Sequence, residues 1–307
     1  MNTKRYGVVV GIDGSSAGGQ ALDWAAAEAV RRRTSLTLLS AYEVTTVPLV
    51  DGYGLGPEAL RAEAQDVVDK ALRHLADARV QRPGAVPDAD DVDVEVVEGA
   101  PAGVLVDRSA ASDLVVVGKR GLHALDRLVL GSVSTALSAM ARGPVAVVPI
   151  DPVALQSVSP ADAVGPVWRV VAAVDFDDHL GRVLDRAFDE ARLAGAPLVA
   201  VHALKQDFIA GPYAAAGAWV HQYQDEALAS LHDEMRRWEE KYPTVQWSVE
   251  VEHGSSVDVL TSRLGRHDLV VVGGRRHTPI AGRILRSVAD RLGRDVTCPM
   301  VVAHEQR

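Results

Sequence analysis

The chain has 307 residues, of which 48% are hydrophobic and 24% charged, and its formal net charge is −9. This length suits two domains of roughly 150 residues each, and the composition is that of an ordinary globular protein. The negative charge argues against a general nucleic-acid binder, which needs a basic face to neutralise phosphates. No stretch approaches the roughly 18 apolar residues of a membrane span, and the N-terminus lacks a signal-peptide pattern. Cys298 is the single cysteine, which suits a reducing compartment, so we expect a cytoplasmic protein.

In chain order, the first half alternates apolar runs with segments of helical periodicity. Continuous apolar runs at 8–12, 36–39 and 114–117 predict buried strands of a parallel sheet, covered by helices on both faces. A third strand, at 92–96, alternates valine with acidic residues, which predicts an edge strand. Helices that alternate with parallel strands indicate a doubly wound sheet.

The second half repeats the first. The segment 6–13 returns at 168–175, and the hexapeptide 113–118 returns unchanged at 268–273. We therefore predict two tandem α/β domains, 1–150 and 166–307, each a five-stranded, mostly parallel sheet flanked by helices. The linker is predicted at 151–165, where Asp-Pro, Ser-Pro and Gly-Pro dipeptides interrupt a stretch without periodicity.

A glycine-rich loop follows the fourth strand of the first copy. It has glycine at 118 and 121, then nine residues, then the sequence Gly-Ser-Val-Ser at 131–134, where a helix is expected to begin. Glycines let backbone amides approach an anion, and a helix N-terminus favours phosphate. Asp13, which follows the first strand, can accept a hydrogen bond from a ribose hydroxyl or from metal-bound water. It can equally be a helix cap.

On these residues the chain resembles a tandem universal stress protein of the ATP-binding type, whose loop has the pattern G-x2-G-x9-G-[S/T]. The resemblance implies a stress-response regulator that binds ATP, with Mg²⁺ reached through water at Asp13. It also implies that the two domains pair through their final strands, at 146–148 and 301–303, and that the chain forms a homodimer. The ATP-site residues that it implies are Asp13, Ala41, Val117, Gly118, Arg120, Gly121, Gly131, Ser132, Val133 and Ser134.

The second copy departs from the loop pattern. Arg276 and Arg286 stand where the first copy has its second and third glycines. An arginine there adds a side chain where the backbone would touch ligand, and it would strain a positive φ. Four arginines around this loop could instead hold phosphate by charge, so both readings stay open. The candidate residues of this second site are Asp175, Gly273, Arg276, Arg286 and Ser287.

Three functions remain open on the sequence: an ATP-dependent switch or sensor, a slow ATPase of the same fold, and an interaction scaffold without nucleotide. Hydrolysis needs a group that positions water at the γ-phosphate, and only Asp13 is available for that role. No catalytic residue and no protein metal motif is predicted. We therefore favour the switch, with at most weak ATP hydrolysis.

Overall fold

A computed structural model describes residues 5–44, 56–119, 130–150, 166–204, 217–274 and 288–304. The chain divides into two compact units, of which the second spans Pro166–Ala303. The predicted linker, 151–165, lies outside the described residues. No helix among the described residues is long and apolar enough to cross a membrane.

The first unit alternates strands and helices, with a short 3-10 turn at Ala89–Asp91 before the third strand. Its described elements are β1 (Tyr6–Gly11), α1 (Ser16–Arg32), β2 (Leu36–Tyr42), α2 (Pro57–Gln81), β3 (Val92–Glu98), α3 (Pro101–Ser109), β4 (Ser112–Gly118), α4 (Ser132–Met140) and β5 (Val145–Val148). The strands lie in the order β3-β2-β1-β4-β5, and each neighbouring pair is parallel.

The second unit repeats this arrangement. Its described elements are β6 (Arg169–Val174), α5 (Leu180–Ala194), β7 (Leu198–Leu204), α6 (Gly217–Arg236), β8 (Trp247–His253), α7 (Ser256–Thr261), β9 (Asp268–Gly273), α8 (Val288–Asp295) and β10 (Met300–Ala303). Within the unit the strand order is β8-β7-β6-β9-β10, again with parallel neighbours. The predicted fold class is confirmed for both units.

Each unit buries the apolar runs of its central strands. Val8, Val9 and Val10 of β1 are fully buried, as are Leu114 and Val115 of β4. Each such side chain contributes about 1.5–3 kcal/mol relative to leaving it exposed. Because the chain crosses from β1 to β2 in one direction and from β3 to β4 in the other, right-handed crossovers place helices on both faces.

Strand β3 is an edge strand, as the alternating sequence predicts, but its two faces are less distinct than expected. Val94 is 40% exposed. Glu95 is half-buried and accepts hydrogen bonds from the Tyr6 hydroxyl at 3.0 Å and from Arg108 Nε at 2.8 Å. Glu95 therefore helps to attach the edge strand β3 to β1 and α3.

Candidate functional site

The register of the first sheet brings the candidate residues to one edge. Gly11 of β1 pairs with Leu39 of β2, so Asp13 and Ala41, each two residues further on, lie at the same carboxyl edge. β4 is the other neighbour of β1, and it ends at Gly118. The chain reverses its direction of winding between β1 and β4, and such a switch point is where open α/β sheets bind ligands.

Asp13 braces the start of α1. Its Oδ1 accepts hydrogen bonds from the Ser15 amide at 3.0 Å and from the Ser15 hydroxyl at 2.6 Å. The Ser15 Oγ in turn accepts from the Gly18 amide at 3.1 Å, which caps the helix. Gly14 allows this tight turn with a φ of +78°. The helix cap is therefore Ser15, and Asp13 holds the cap in place at the exposed edge.

Gly118 is pressed against the backbone of α1. A Cβ at Gly118 would lie 2.7 Å from the carbonyl oxygen of Ala17 and 2.8 Å from its carbonyl carbon. Glycine is therefore needed here for the contact between β4 and α1, whether or not a ligand binds. Val117, the preceding candidate, is 4% exposed and belongs to the core.

The two ends of the glycine loop meet. The Lys119 carbonyl accepts a hydrogen bond from the Gly131 amide at 2.9 Å, and the Lys119 amide donates to the Val148 carbonyl at 2.7 Å. Gly131 is the N-cap of α4, with a φ of −61° that any residue adopts. The strain that a positive φ would cause for an arginine therefore does not arise at position 131. Two candidates inside the loop, Arg120 and Gly121, lie outside the described residues.

The first turn of α4 has no side-chain cap. Gly131 offers no capping group, so the amides of Ser132, Val133 and Ser134 lack an intrahelical acceptor. Ser132 is exposed, Val133 is half-buried and Ser134 is buried. The Ser134 hydroxyl lies 3.0 Å from the Gly131 carbonyl and 3.2 Å from the Lys119 carbonyl, so it donates its proton within the protein. Only its amide, not its hydroxyl, is left for an anion.

The corresponding edge of the second unit is built differently. Asp175 Oδ1 accepts from the adjacent Phe176 amide at 3.0 Å, whereas Asp177 Oδ1 accepts from the His179 amide at 2.9 Å. The helix α5 begins at Leu180, two residues later than α1 in the aligned frame, and its N-cap His179 makes no side-chain cap hydrogen bond. The retained aspartate therefore does not brace a helix start as Asp13 does.

Gly273 of the second unit is not pressed by a backbone. A Cβ there would lie 3.4 Å from the side chains of His179 and Val183, an ordinary contact. A cavity of about 70 Å³ lies at this edge, and Asp175, Leu180 and Gly273 are among the residues that line it. Arg276, Arg286 and Ser287 lie outside the described residues.

Sequence reasoning missed the small residues before and at the start of α1. Gly14, Ala17 and Gly18 correspond, at the offset of 162, to Phe176, His179 and Leu180. The replacement of three small residues by three large ones was visible once the two copies were aligned. Within the part of the chain that the structure describes, no group of three or more His, Cys, Asp or Glu side chains could hold a metal ion.

Comparisons with known proteins identify the family to which both halves of the chain are similar. The universal stress protein family model matches residues 7–149 and again residues 168–304. A universal stress protein of Mycolicibacterium smegmatis is 30% identical over 308 residues, covering 98% of each chain. One from Mycobacterium tuberculosis is 31% identical over 303 residues, covering 97% of this chain and 96% of its own. The crystal structure of a universal stress protein from Archaeoglobus fulgidus is similar in fold, with a TM-score of 0.64, 16% identity and 98% of each chain covered.

Proposed function

The chain belongs to the universal stress protein family, with two family domains in tandem, and we propose that its first domain binds ATP as a regulatory ligand. Bound and free forms would differ in conformation or in partner choice. Such a switch requires that ATP bind one conformation more tightly than the other, because equal affinity shifts no equilibrium.

One observation carries this proposal: the hydrogen bond of 2.9 Å between the Gly131 amide and the Lys119 carbonyl. It closes the glycine loop directly beside the uncapped first turn of α4. A helix N-terminus without a side-chain cap among the described residues suits a phosphate chain, since the first-turn amides and the helix dipole both favour negative charge. By contrast, the first turn of α1 is already capped by Ser15.

The other residues at this edge fit the rest of the nucleotide. Asp13 is exposed, so its carboxylate is accessible to a ribose hydroxyl or to water around Mg²⁺. Ala41 lies at the same level of the sheet and would border the adenine. In the second domain, Leu180 lines the corresponding edge and arginines replace the second and third loop glycines, so we propose one tight ATP site per chain.

Isothermal titration of the whole chain with MgATP tests the proposal. We expect one tight site in the natural protein and none in Gly131→Arg, which copies the second domain. Gly103→Arg is the matched control, because it adds the same charge to the same domain at a glycine whose Cβ would contact nothing within 4 Å. Unchanged affinity in Gly131→Arg would show that the loop is not the phosphate site. Two equivalent tight sites in the natural chain would refute the claim that Arg276 and Arg286 impair the second site.

Two cheap measurements separate this proposal from its rivals. Absorbance at 260 nm of protein purified without added nucleotide reports bound ATP, and a scaffold would show none. Phosphate release over many turnovers would indicate an ATPase. A binding switch is expected to release little phosphate on the time scale of the titration.

We further propose that the two domains pair through their final strands and that the chain forms homodimers. Within its own domain, β5 has a parallel partner on one side only, β4, and β10 has only β9. All four residues of each final strand are buried. An edge strand of this kind carries a row of N–H and C=O groups that require pairing partners.

A further inference from the structure

We propose that Gly18 is a positioning residue for the ATP site. Because Gly18 has no side chain, the Asp13 carboxylate has room to lie at the proposed ribose position. This inference rests on the proposed binding of ATP by the first domain. It adds a residue that touches no ligand and that lies outside the glycine loop.

The contact is close and the aspartate is held. A Cβ on Gly18 would lie 2.8 Å from Asp13 Oδ1 and 3.4 Å from the Asp13 amide nitrogen. Oδ1 accepts two hydrogen bonds from Ser15, so moving the carboxylate aside lengthens or breaks these bonds. A bulky side chain at position 18 therefore displaces the carboxylate or separates it from the Ser15 cap.

The second domain already carries this change. Leu180 corresponds to Gly18, and the aspartate before it, Asp175, is retained. Yet Asp175 accepts from its neighbour Phe176, and α5 starts only at Leu180. An aspartate at this position is therefore not sufficient for the hydrogen bonds to the helix cap that Asp13 makes in the first domain. Ser15, which donates to Asp13, is replaced by Asp177 in the second domain, so the variants below test the residue at position 18 separately.

The next residue along α1 provides the control. A Cβ on Gly19 would contact nothing within 4 Å, although Gly19 lies in the same helical turn. Substitutions at 18 and 19 thus share their effect on helix propensity and differ in their effect on Asp13.

The experiment titrates Gly18→Leu, Gly19→Leu, Asp13→Ala and the natural chain with ATP, with 2′,3′-dideoxy-ATP and with inorganic tripolyphosphate. A hydrogen bond to a charged acceptor makes the natural chain prefer ATP over the dideoxy analogue by about tenfold to a hundredfold. Gly18→Leu is expected to lose this preference as Asp13→Ala does, while Gly19→Leu keeps it. Tripolyphosphate, which has no ribose, should bind all four chains alike.

Gly18→Val is measured in parallel, so that a leucine variant that fails to fold does not end the test. The inference is overturned if a folded Gly18 variant keeps the natural preference for ATP over its dideoxy analogue, or if the natural chain has no such preference. If the natural chain binds neither nucleotide nor tripolyphosphate, the proposed ATP function itself fails. If it binds tripolyphosphate and both nucleotides equally, only the role of Gly18 and Asp13 fails.

Discussion

The two identical hexapeptides allow one substitution to be compared in two surroundings. Gly118→Ala and Gly273→Ala each add one methyl group at the end of the fourth strand of a domain. In the first domain the new Cβ lies 2.7 Å from a carbonyl oxygen of α1, and in the second it lies 3.4 Å from two side chains. To reach the same separation, the start of α1 must move by about 0.7 Å, which is the difference of these two distances.

The expected magnitudes follow from this geometry. Overpacking against backbone costs about 1–3 kcal/mol, whereas replacing glycine by alanine at a permissive site gains about 0.4–1 kcal/mol. Gly273→Ala is therefore expected to be neutral or slightly stabilising, and Gly118→Ala destabilising. The two changes thus differ by about 1–4 kcal/mol. At about 2–4 °C for each kcal/mol, Gly118→Ala should lower the melting temperature of its domain, relative to the natural chain, by roughly 2–16 °C more than Gly273→Ala does.

Scanning calorimetry of the two single variants and of the natural chain measures this difference. We also expect Gly118→Ala to weaken ATP binding, because the displaced turn carries Ser15, which donates two hydrogen bonds to the Asp13 carboxylate. Equal shifts of the melting temperature in the two variants would refute the claim that the backbone of α1 packs against Gly118 while only side chains pack against Gly273.

Two further predictions concern other parts of the chain. The hydrogen bond that His74 donates to the Asp23 carboxylate raises the pKa of His74 above its ordinary 6.5. The pair therefore stabilises the protein below pH 6.5, and this contribution is lost as the pH rises through the raised pKa. Urea unfolding should show a larger loss of stability for His74→Gln at pH 6 than at pH 9, and an equal loss at both would contradict this. For the proposed strand pairing, Val147→Pro removes a backbone donor from β5 and should lower the melting temperature of both domains. A loss of stability confined to the first domain would refute the pairing.

Much of the fold followed from the sequence for a simple reason. Continuous apolar runs between amphipathic helices permit few arrangements other than a doubly wound parallel sheet, and the repeat doubles the evidence. The carboxyl edge was predictable too, because the residues after β1 and β4 must lie there. The register then put Asp13 and Ala41 at one level.

The roles of individual groups were not predictable, because they depend on contacts within a few ångströms. Asp13 was an alternative helix cap on the sequence, and it braces the true cap, Ser15. Ser134 was expected at the ATP site, but its hydroxyl donates to carbonyls of its own chain. Gly131 has a φ of −61°, so an arginine at this position would not be strained by a positive φ. Periodicity carries no information about such distances.

The two domains differ in the contacts of the glycine that ends the fourth strand and of the aspartate that follows the first strand. Both differences depend on where the first helix of the domain begins. In the first domain α1 begins at Ser16, so backbone atoms of Ala17 lie against Gly118 and the Asp13 carboxylate fits over Gly18. In the second domain a leucine stands at that position and α5 begins two residues later, so the nearest atoms to Gly273 belong to side chains. With this later helix start, Asp175 does not bond to a helix cap, and a side chain at position 273 would meet no backbone atom among its nearest contacts. Gly273 and Asp175 therefore occur in the second domain without the contacts that Gly118 and Asp13 make in the first.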